Sequence, residues 1–226
     1  MTRRDFIVGG LSAVAAGECL SSPVRASLGA ERNNVKAPLP YDAEVEYLET
    51  SGTQYFKFPL DTSKITRSLT GVCRVRYFDA GNGEQDIYGI DESLVSGRFQ
   101  FRYFMWWRNS FMAGNRDSSW HDITYQHDIS GCKMIIDGVE TTSTLTNQFN
   151  YSQEFLWVFC SGLNRMMAQV QLGSLKFLVD GQMVGDLTAV RFTNEQGMSE
   201  GAMYDSISGA LFRNAGTGSF VIGPEV

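Results

Sequence analysis

The stretch SLKFLVDGQMVG, residues 174–185, carries the plainest structural signal in the chain. Two β-rich runs, 174–179 and 182–185, flank the dipeptide Asp180-Gly181. Asp-Gly supplies the positive φ angles of a two-residue turn whose twist matches that of its flanking strands. A second Asp-Gly, Asp137-Gly138, separates two further β-rich runs. Both stretches therefore predict tight antiparallel hairpins.

Outward from these hairpins, the chain alternates short β-rich runs with turn residues, and no stretch keeps a helical period. Residues 44–49 and 54–58 are expected to pair with each other across the turn 50–53. The other predicted strands are 69–78, 86–90, 98–107, 119–128, a central strand at 155–160, and a hairpin of 202–206 with 210–213. About a dozen strands in succession favour an all-β, two-sheet antiparallel sandwich over an α/β fold.

The first 26 residues are interpreted as an export signal and set apart from the fold. TRRDFI at residues 2–7 resembles the twin-arginine motif, a short apolar segment follows, and Val24-Arg25-Ala26 offers a cleavage site. The alternative is a cytoplasmic amphipathic tail. The apolar segment is shorter than the roughly 20 residues of a bilayer span, so no membrane insertion is expected after cleavage. Residues 27–40 then form a linker, and 41–226 form a periplasmic or extracellular domain.

The net charge limits the classes of binding partner, and the cysteine pattern bears on disulfides and metal sites. The formal net charge of −6 argues against nucleic acid and against an anionic membrane surface. Three cysteines follow the signal, and each shares its predicted strand face with apolar neighbours: Cys73, Cys132 and Cys160. Buried thiols are therefore expected, with one disulfide plus one free thiol as the alternative. No CxxC or CxH spacing occurs, so no metal site is predicted.

Motifs at both ends of the domain resemble those of one family. VEYLETSGTQY at 45–55 resembles the EYIESTGTQYI opening of bacterial and phage concanavalin A-like (laminin-G-like) lectin/glucanase domains. GAMYDSISG at 201–209, followed by FRNAGTGSF at 212–220, resembles their closing GLYDxxSG and NAGTG motifs, and LKFLVDG at 175–181 resembles their penultimate hairpin. The resemblance implies a jelly-roll sandwich over about residues 41–226. It implies no single activity, because members include glycan binders, adhesion modules and parts of larger enzymes.

A catalytic site is not evident. Glucanases of this fold carry Glu-x-Asp-x-x-Glu on one strand, which points two carboxylates into one cleft. The pattern starts at Glu84 and Asp86 but meets Gly89 where the second glutamate is required, so residues 84–86 are interpreted as a polar loop entering a strand. The two histidines, His121 and His127, share one strand face but stand about 20 Å apart, too far for one metal ion. No catalytic residue is assigned.

The densest aromatic cluster, residues 99–109, is the predicted binding site. Strand alternation separates an apolar face from a face that mixes arginines with aromatic rings, and rings beside hydrogen-bond donors suit sugars. The predicted ligand-binding residues are Arg102, Phe104, Trp106 and Arg108, bordered by Asp86 and Asp91. The alternative is that these rings fill the core. Trp120 and Trp157 are assigned to the core.

No cofactor is predicted. The acidic residues that calcium would need are scattered and form no calcium-loop motif: Asp86, Asp91, Asp117 and Asp122. The preferred interpretation is an exported, non-catalytic binding module for carbohydrate or a cell-surface protein. The alternatives are a glycoside hydrolase or lyase with an atypical site, and a structural or adhesion protein without a small ligand.

Overall fold

The computed structural model describes residues 38–77, 85–89, 100–104, 118–143, 154–160 and 167–226. In these ranges it has one short 3-10 helix, Thr62–Lys64, and fifteen strands. The strands are β1 (Ala43–Glu44), β2 (Leu48–Glu49), β3 (Phe56–Pro59), β4 (Ser68–Tyr77), β5 (Gln85–Gly89), β6 (Gln100–Phe104), β7 (Trp120–Asp128), β8 (Gly131–Ile136), β9 (Val139–Ser143), β10 (Phe155–Val158), β11 (Val170–Val179), β12 (Gln182–Thr193), β13 (Ser199–Asp205), β14 (Leu211–Arg213) and β15 (Val221–Ile222).

The strands form two antiparallel sheets. The larger has the order β14-β13-β12-β11-β4-β7-β8-β9, with β1 beside β12 and β2 between β11 and β15. The smaller has the order β3-β10-β5-β6. The predicted two-sheet jelly-roll sandwich is therefore confirmed. Among the described residues, no helix has the length and apolar character to cross a bilayer.

The core lies between the two sheets. Phe58 and Tyr88 of the smaller sheet pack against Phe177 of the larger, with ring centroids 4.9 and 5.1 Å apart. In β4 every second side chain is buried, from Leu69 to Tyr77. The alternate side chains of β4 face outward, so this central strand carries one buried and one solvent-facing surface.

Both Asp-Gly hairpins form as predicted. Asp137 and Asp180 have φ angles of 49° and 50°, and the glycines that follow have 84° and 83°. The strand pairs β8–β9 and β11–β12 close directly on these turns. Local turn chemistry alone accounts for both, because the positive φ angles are required wherever the partner strands lie.

The expected pairing of residues 44–49 with 54–58 is wrong. β2 pairs with β11 and β15 in the larger sheet, whereas β3 pairs with β10 in the smaller. Thr50 anchors the crossing segment, because its backbone N–H donates to Val170 O at 2.9 Å and its hydroxyl donates to Ala168 O. The turn therefore carries the chain from one sheet to the other.

The three thiols are buried as predicted. Cys73 and Cys132 face the core from β4 and β8, and Cys160 lies just beyond β10. No disulfide joins any two of them. Burial raises the pKa of the Cys73 thiol well above its usual range, which keeps it protonated and unreactive at neutral pH.

The Asp180 side chain fastens the β11–β12 hairpin to the start of β4. It accepts hydrogen bonds from the backbone N–H groups of Thr66, Arg67 and Ser68 at 2.8–3.1 Å, and from the Thr66 hydroxyl at 2.6 Å. The Thr66 hydroxyl and these N–H groups lower the pKa of Asp180 to about 2. The ionised form is therefore the one that the fold stabilises.

We expect Asp180→Asn to lower the free energy of unfolding by about 1 kcal/mol at pH 7, since the exposed site is screened by solvent. The folded pKa lies below the unfolded value of about 3.9. The stabilisation is therefore present above pH 4 and is lost as the pH falls through about 2. Urea unfolding at pH 7 and pH 2 measures this. An equal difference between the two proteins at both pH values contradicts the ionic role.

Candidate binding surface

The predicted binding residues fall at one edge of the described smaller sheet or outside the described residues. Arg102 and Phe104 belong to β6, which is last in the order β3-β10-β5-β6. Trp106 and Arg108 lie outside the described residues, as does Asp91. The register places Asp86 of β5 opposite Arg102. The backbone therefore places Asp86 beside β6. The four-residue site stays a prediction.

Asp86 lies inside β5, which agrees with the predicted strand at 86–90. It is 0% exposed, however, and so differs from the expected polar segment that borders the binding site. The candidate calcium residues are also separated, because Asp86 belongs to the smaller sheet and Asp122 to the larger, and Asp117 lies outside the described residues. Groups of three or more metal-ligating side chains are absent from the described part of the chain.

The assignment of Trp120 to the core is wrong. In β7 the buried positions are His121, Ile123, Tyr125 and His127, so Trp120 lies on the opposite, outward face and is only half-buried. His121 occupies the inward position because its Nδ1 lies 2.6 Å from Asp137 Oδ2 in the β8–β9 turn. An imidazole with a hydrogen-bonded partner can be buried, and strand alternation then turns the indole outward.

A row of outward side chains crosses four strands and ends on Trp120. The register pairs Glu49 with Gln171, Gln171 with Arg76, and Arg76 with Trp120. Gln171 Nε2 donates to Glu49 Oε2 at 2.5 Å, and Arg76 Nε donates to Gln171 Oε1 at 2.7 Å. The Arg76 guanidinium lies over the Trp120 ring, 5.1 Å from its centroid. Each member of the row therefore positions the next.

Three more side chains complete the surface. The Tyr47 ring lies 5.9 Å from Trp120 and 5.8 Å from the Arg76 guanidinium. Arg74, two residues from Arg76 on the same face of β4, lies 5.5 Å from the Trp120 ring and 3.4 Å from the Asp122 carboxylate. We call this set the Trp120 surface: Tyr47, Glu49, Arg74, Arg76, Trp120, Asp122 and Gln171.

The Trp120 surface combines aromatic rings with charged donors and acceptors of balanced sign. Two arginines face two carboxylates, so its formal charge is zero, and the Arg74–Asp122 pair is open to solvent. Exposed ion pairs of this kind contribute little stability. The arrangement offers partly exposed aromatic rings beside guanidinium N–H groups, which suits a ligand that presents both C–H faces and oxygen acceptors.

A second aromatic group lies on the outer face of the smaller sheet. The Lys57 ammonium lies 4.4 Å from the Phe155 ring and 4.5 Å from the Trp157 ring, and Tyr55 lies 5.0 Å from Trp157. Trp157 is only 3% exposed, which agrees with its predicted burial. Its ring is not offered to solvent, so this group differs from the Trp120 surface.

The family-like motifs at the two ends bind each other. Asn214 Oδ1 accepts from Tyr55 N at 3.2 Å, and Gly216 packs so closely against Thr53 that a Cβ there would meet the Thr53 backbone. Gln54 Nε2 donates to Thr217 O at 3.2 Å. These motifs therefore fasten the C-terminal segment to the β2–β3 connection. Of the residues in the Trp120 surface, the motifs contain only Tyr47 and Glu49.

The Trp120 surface is not apparent from the sequence alone, because it is assembled from four strands that are far apart in sequence. One signal in the sequence points to it. Arg74 and Arg76 alternate with Cys73 and Val75, which marks one outward arginine-bearing face on a long strand. The indole that completes the face is identified only once the register places Trp120 beside Arg76.

Comparison with known proteins gives similarity to solved structures alone. No family model matches the chain, and no curated protein matches it. Among solved structures, the chain is similar to the mouse laminin alpha1 chain, domains LG4-5, with a TM-score of 0.44 and 14% sequence identity. The match covers 65% of this chain and 44% of that one, so the chain spans less than half the length of that structure.

Proposed function

We propose that the protein is an exported, non-catalytic binding module whose Trp120 surface contacts a carbohydrate of a cell surface or matrix. The observation that carries the proposal is the partly exposed Trp120 ring on the outward face of β7, held in place by Arg74, Arg76 and Tyr47. A ring that only filled space would be more stable inside the sandwich. The signal at residues 1–26 supports export and lies outside the described residues.

Carbohydrate is favoured over a protein partner by the composition of the surface. A pyranose presents a C–H face that packs on an aromatic ring and hydroxyl groups that hydrogen-bond to charged side chains. The Trp120 surface supplies the rings of Tyr47 and Trp120, with Arg74 and Asp122 as exposed partners beside them. A protein interface of standard size would need a much larger apolar patch than these two rings.

The predicted residues Arg102, Phe104, Trp106 and Arg108 are proposed as a second contact region. The edge position of β6 supports this, because the last strand of the smaller sheet has one side without a partner strand among the described residues. This edge and the Trp120 surface belong to different sheets. Variants in the two regions therefore distinguish them.

An array of plant, microbial and animal glycans first identifies a glycan that the protein binds. We expect Trp120→Ala to weaken the affinity for that glycan at least tenfold. The loss follows from removing the ring that Arg74, Arg76 and Tyr47 surround. Stability should fall by about 1–2 kcal/mol, since the side chain is only partly exposed. Binding isotherms and urea unfolding measure the two effects.

Lys133→Ala is the matched control for Trp120→Ala. Lys133 also faces outward from the larger sheet, and its ammonium pairs with Glu140 at 3.4 Å on the β8–β9 hairpin. This variant should bind as the native protein does. If Trp120→Ala retains full affinity while Arg102→Ala loses it, the contact lies on the smaller sheet and the proposal for the Trp120 surface is wrong.

A further inference from the structure

Arg76 is held in one orientation by a chain of buried or half-buried contacts. Its Nε donates to Gln171 Oε1 at 2.7 Å, and Gln171, which is only 5% exposed, donates in turn to Glu49 at 2.5 Å. The guanidinium carbon also lies 5.8 Å from the centroid of the Tyr47 ring and 5.1 Å from that of the Trp120 ring. A guanidinium held at its Nε atom and packed between two rings has lost much of its side-chain freedom before any ligand binds.

The open part of this guanidinium is its far edge. Nε is engaged by Gln171, and within the described ranges neither Nη group of Arg76 takes part in a hydrogen bond. Two parallel Nη–H donors match the two oxygens of a planar carboxylate, and such charge-assisted pairs are shorter and stronger than neutral hydrogen bonds. The fixed edge therefore selects for an anionic, two-oxygen acceptor beside the rings of Tyr47 and Trp120.

We infer that the ligand is a uronic acid-bearing oligosaccharide, with one carboxylate on the Nη edge of Arg76 and its sugar ring on Trp120. This inference rests on the proposed function and names the ligand class of the same surface. The charge balance leaves room for one discrete carboxylate: Glu49 is engaged by Gln171 and Asp122 pairs with Arg74, so the charge of Arg76 has no carboxylate partner among the described residues. A long, highly charged polymer is disfavoured, because the chain has a net charge of −6.

The test is calorimetric titration of the purified protein with short oligouronides. Oligogalacturonate, oligoglucuronate and oligomannuronate are each compared with the carboxyl-reduced oligosaccharide of the same linkage, and with that neutral sugar bearing a sulfate ester. We expect at least one uronide to bind tenfold or more tightly than its reduced match. Arg76→Lys should abolish that preference, since lysine lacks the planar fork.

Two further variants test positioning and charge. Gln171→Leu frees Arg76 without removing it and should reduce the preference for the uronide at least threefold. Asp122→Asn removes the carboxylate that lies 3.4 Å from Arg74 and should increase affinity for the uronide more than affinity for the reduced sugar. Tm is measured for each variant, so that a loss of binding is separated from a loss of folded protein.

The outcomes separate the inference from the function on which it rests. Equal binding of acidic and reduced sugars, still abolished by Trp120→Ala, overturns the uronate inference and keeps the binding function. Tighter binding of the sulfate ester than of the uronide also overturns it. If Arg76→Lys changes only Tm, the row from Glu49 to Trp120 stabilises the sheet and selects no ligand. If no glycan binds and Trp120→Ala has no effect, the proposed function fails as well.

Discussion

Gly71→Ala is expected to destabilise the fold by about 3 kcal/mol or more, because β4 has no room for a methyl group at this position. A Cβ on Gly71 would lie 2.6 Å from ring carbons of Tyr88. Tyr88 is fully buried and packs edge-on against Phe177, with ring centroids 5.1 Å apart, so its rigid ring cannot move aside cheaply. Urea unfolding followed by circular dichroism measures the loss.

Two controls tie that loss to the Tyr88 ring. Thr70→Ala changes the neighbouring outward position of the same strand and should alter stability by less than about 0.5 kcal/mol. Tyr88→Leu combined with Gly71→Ala should destabilise less than the sum of the single changes, since the clash is shared between them. A tolerated Gly71→Ala would mean that the two sheets do not pack as described.

Asp205→Ala is expected to lower the free energy of unfolding by about 3 kcal/mol. Asp205 is 1% exposed, and its carboxylate accepts from the backbone N–H groups of Asp186, Ile207 and Ser208 at 2.8, 3.2 and 3.1 Å, and from the Ser208 hydroxyl at 2.6 Å. Alanine leaves these donors without an acceptor in the β13–β14 turn. Tm should fall by roughly 6–12 °C for a domain of this size.

Asp186→Asn serves as the matched control for Asp205→Ala. Among the described residues its carboxylate pairs only with Lys176, at 3.2 Å near the surface, while its backbone N–H still donates to Asp205. We expect this change to alter stability by less than about 0.5 kcal/mol. Similar losses for both aspartates would contradict the role given to the buried turn and would point to a general effect of charge.

Local chemistry made parts of the fold predictable. The Asp-Gly turns at 137–138 and 180–181 are specified by residues that must adopt positive φ angles, whatever surrounds them. Asp205 belongs to a closing motif that could be recognised in the sequence, and the hydrogen bonds at its turn explain why an aspartate and a serine stand there. The pairing of β2 with β11 has no local signal, because the side chains that meet across it, Glu49 and Gln171, are 122 residues apart in the sequence.

The binding surface was less predictable than the fold. Strand alternation separates Trp120 from His121 but does not say which of them faces the core, and hydrophobicity alone selects the wrong one. His121 is buried because Asp137, sixteen residues away in a turn, lies within hydrogen-bonding distance of its ring. The same register then brings Trp120 to Arg76 and Gln171, which no sequence spacing indicates.

Contact between the ligand and Trp120 on the larger sheet can be observed at the indole itself. Two-dimensional NMR of the 15N-labelled protein follows the indole N–H resonances during titration with the glycan selected on the array. We expect the Trp120 resonance to shift with saturation, while that of the buried Trp157 stays in place. A saturating shift of Trp157 with an unmoved Trp120 would contradict it.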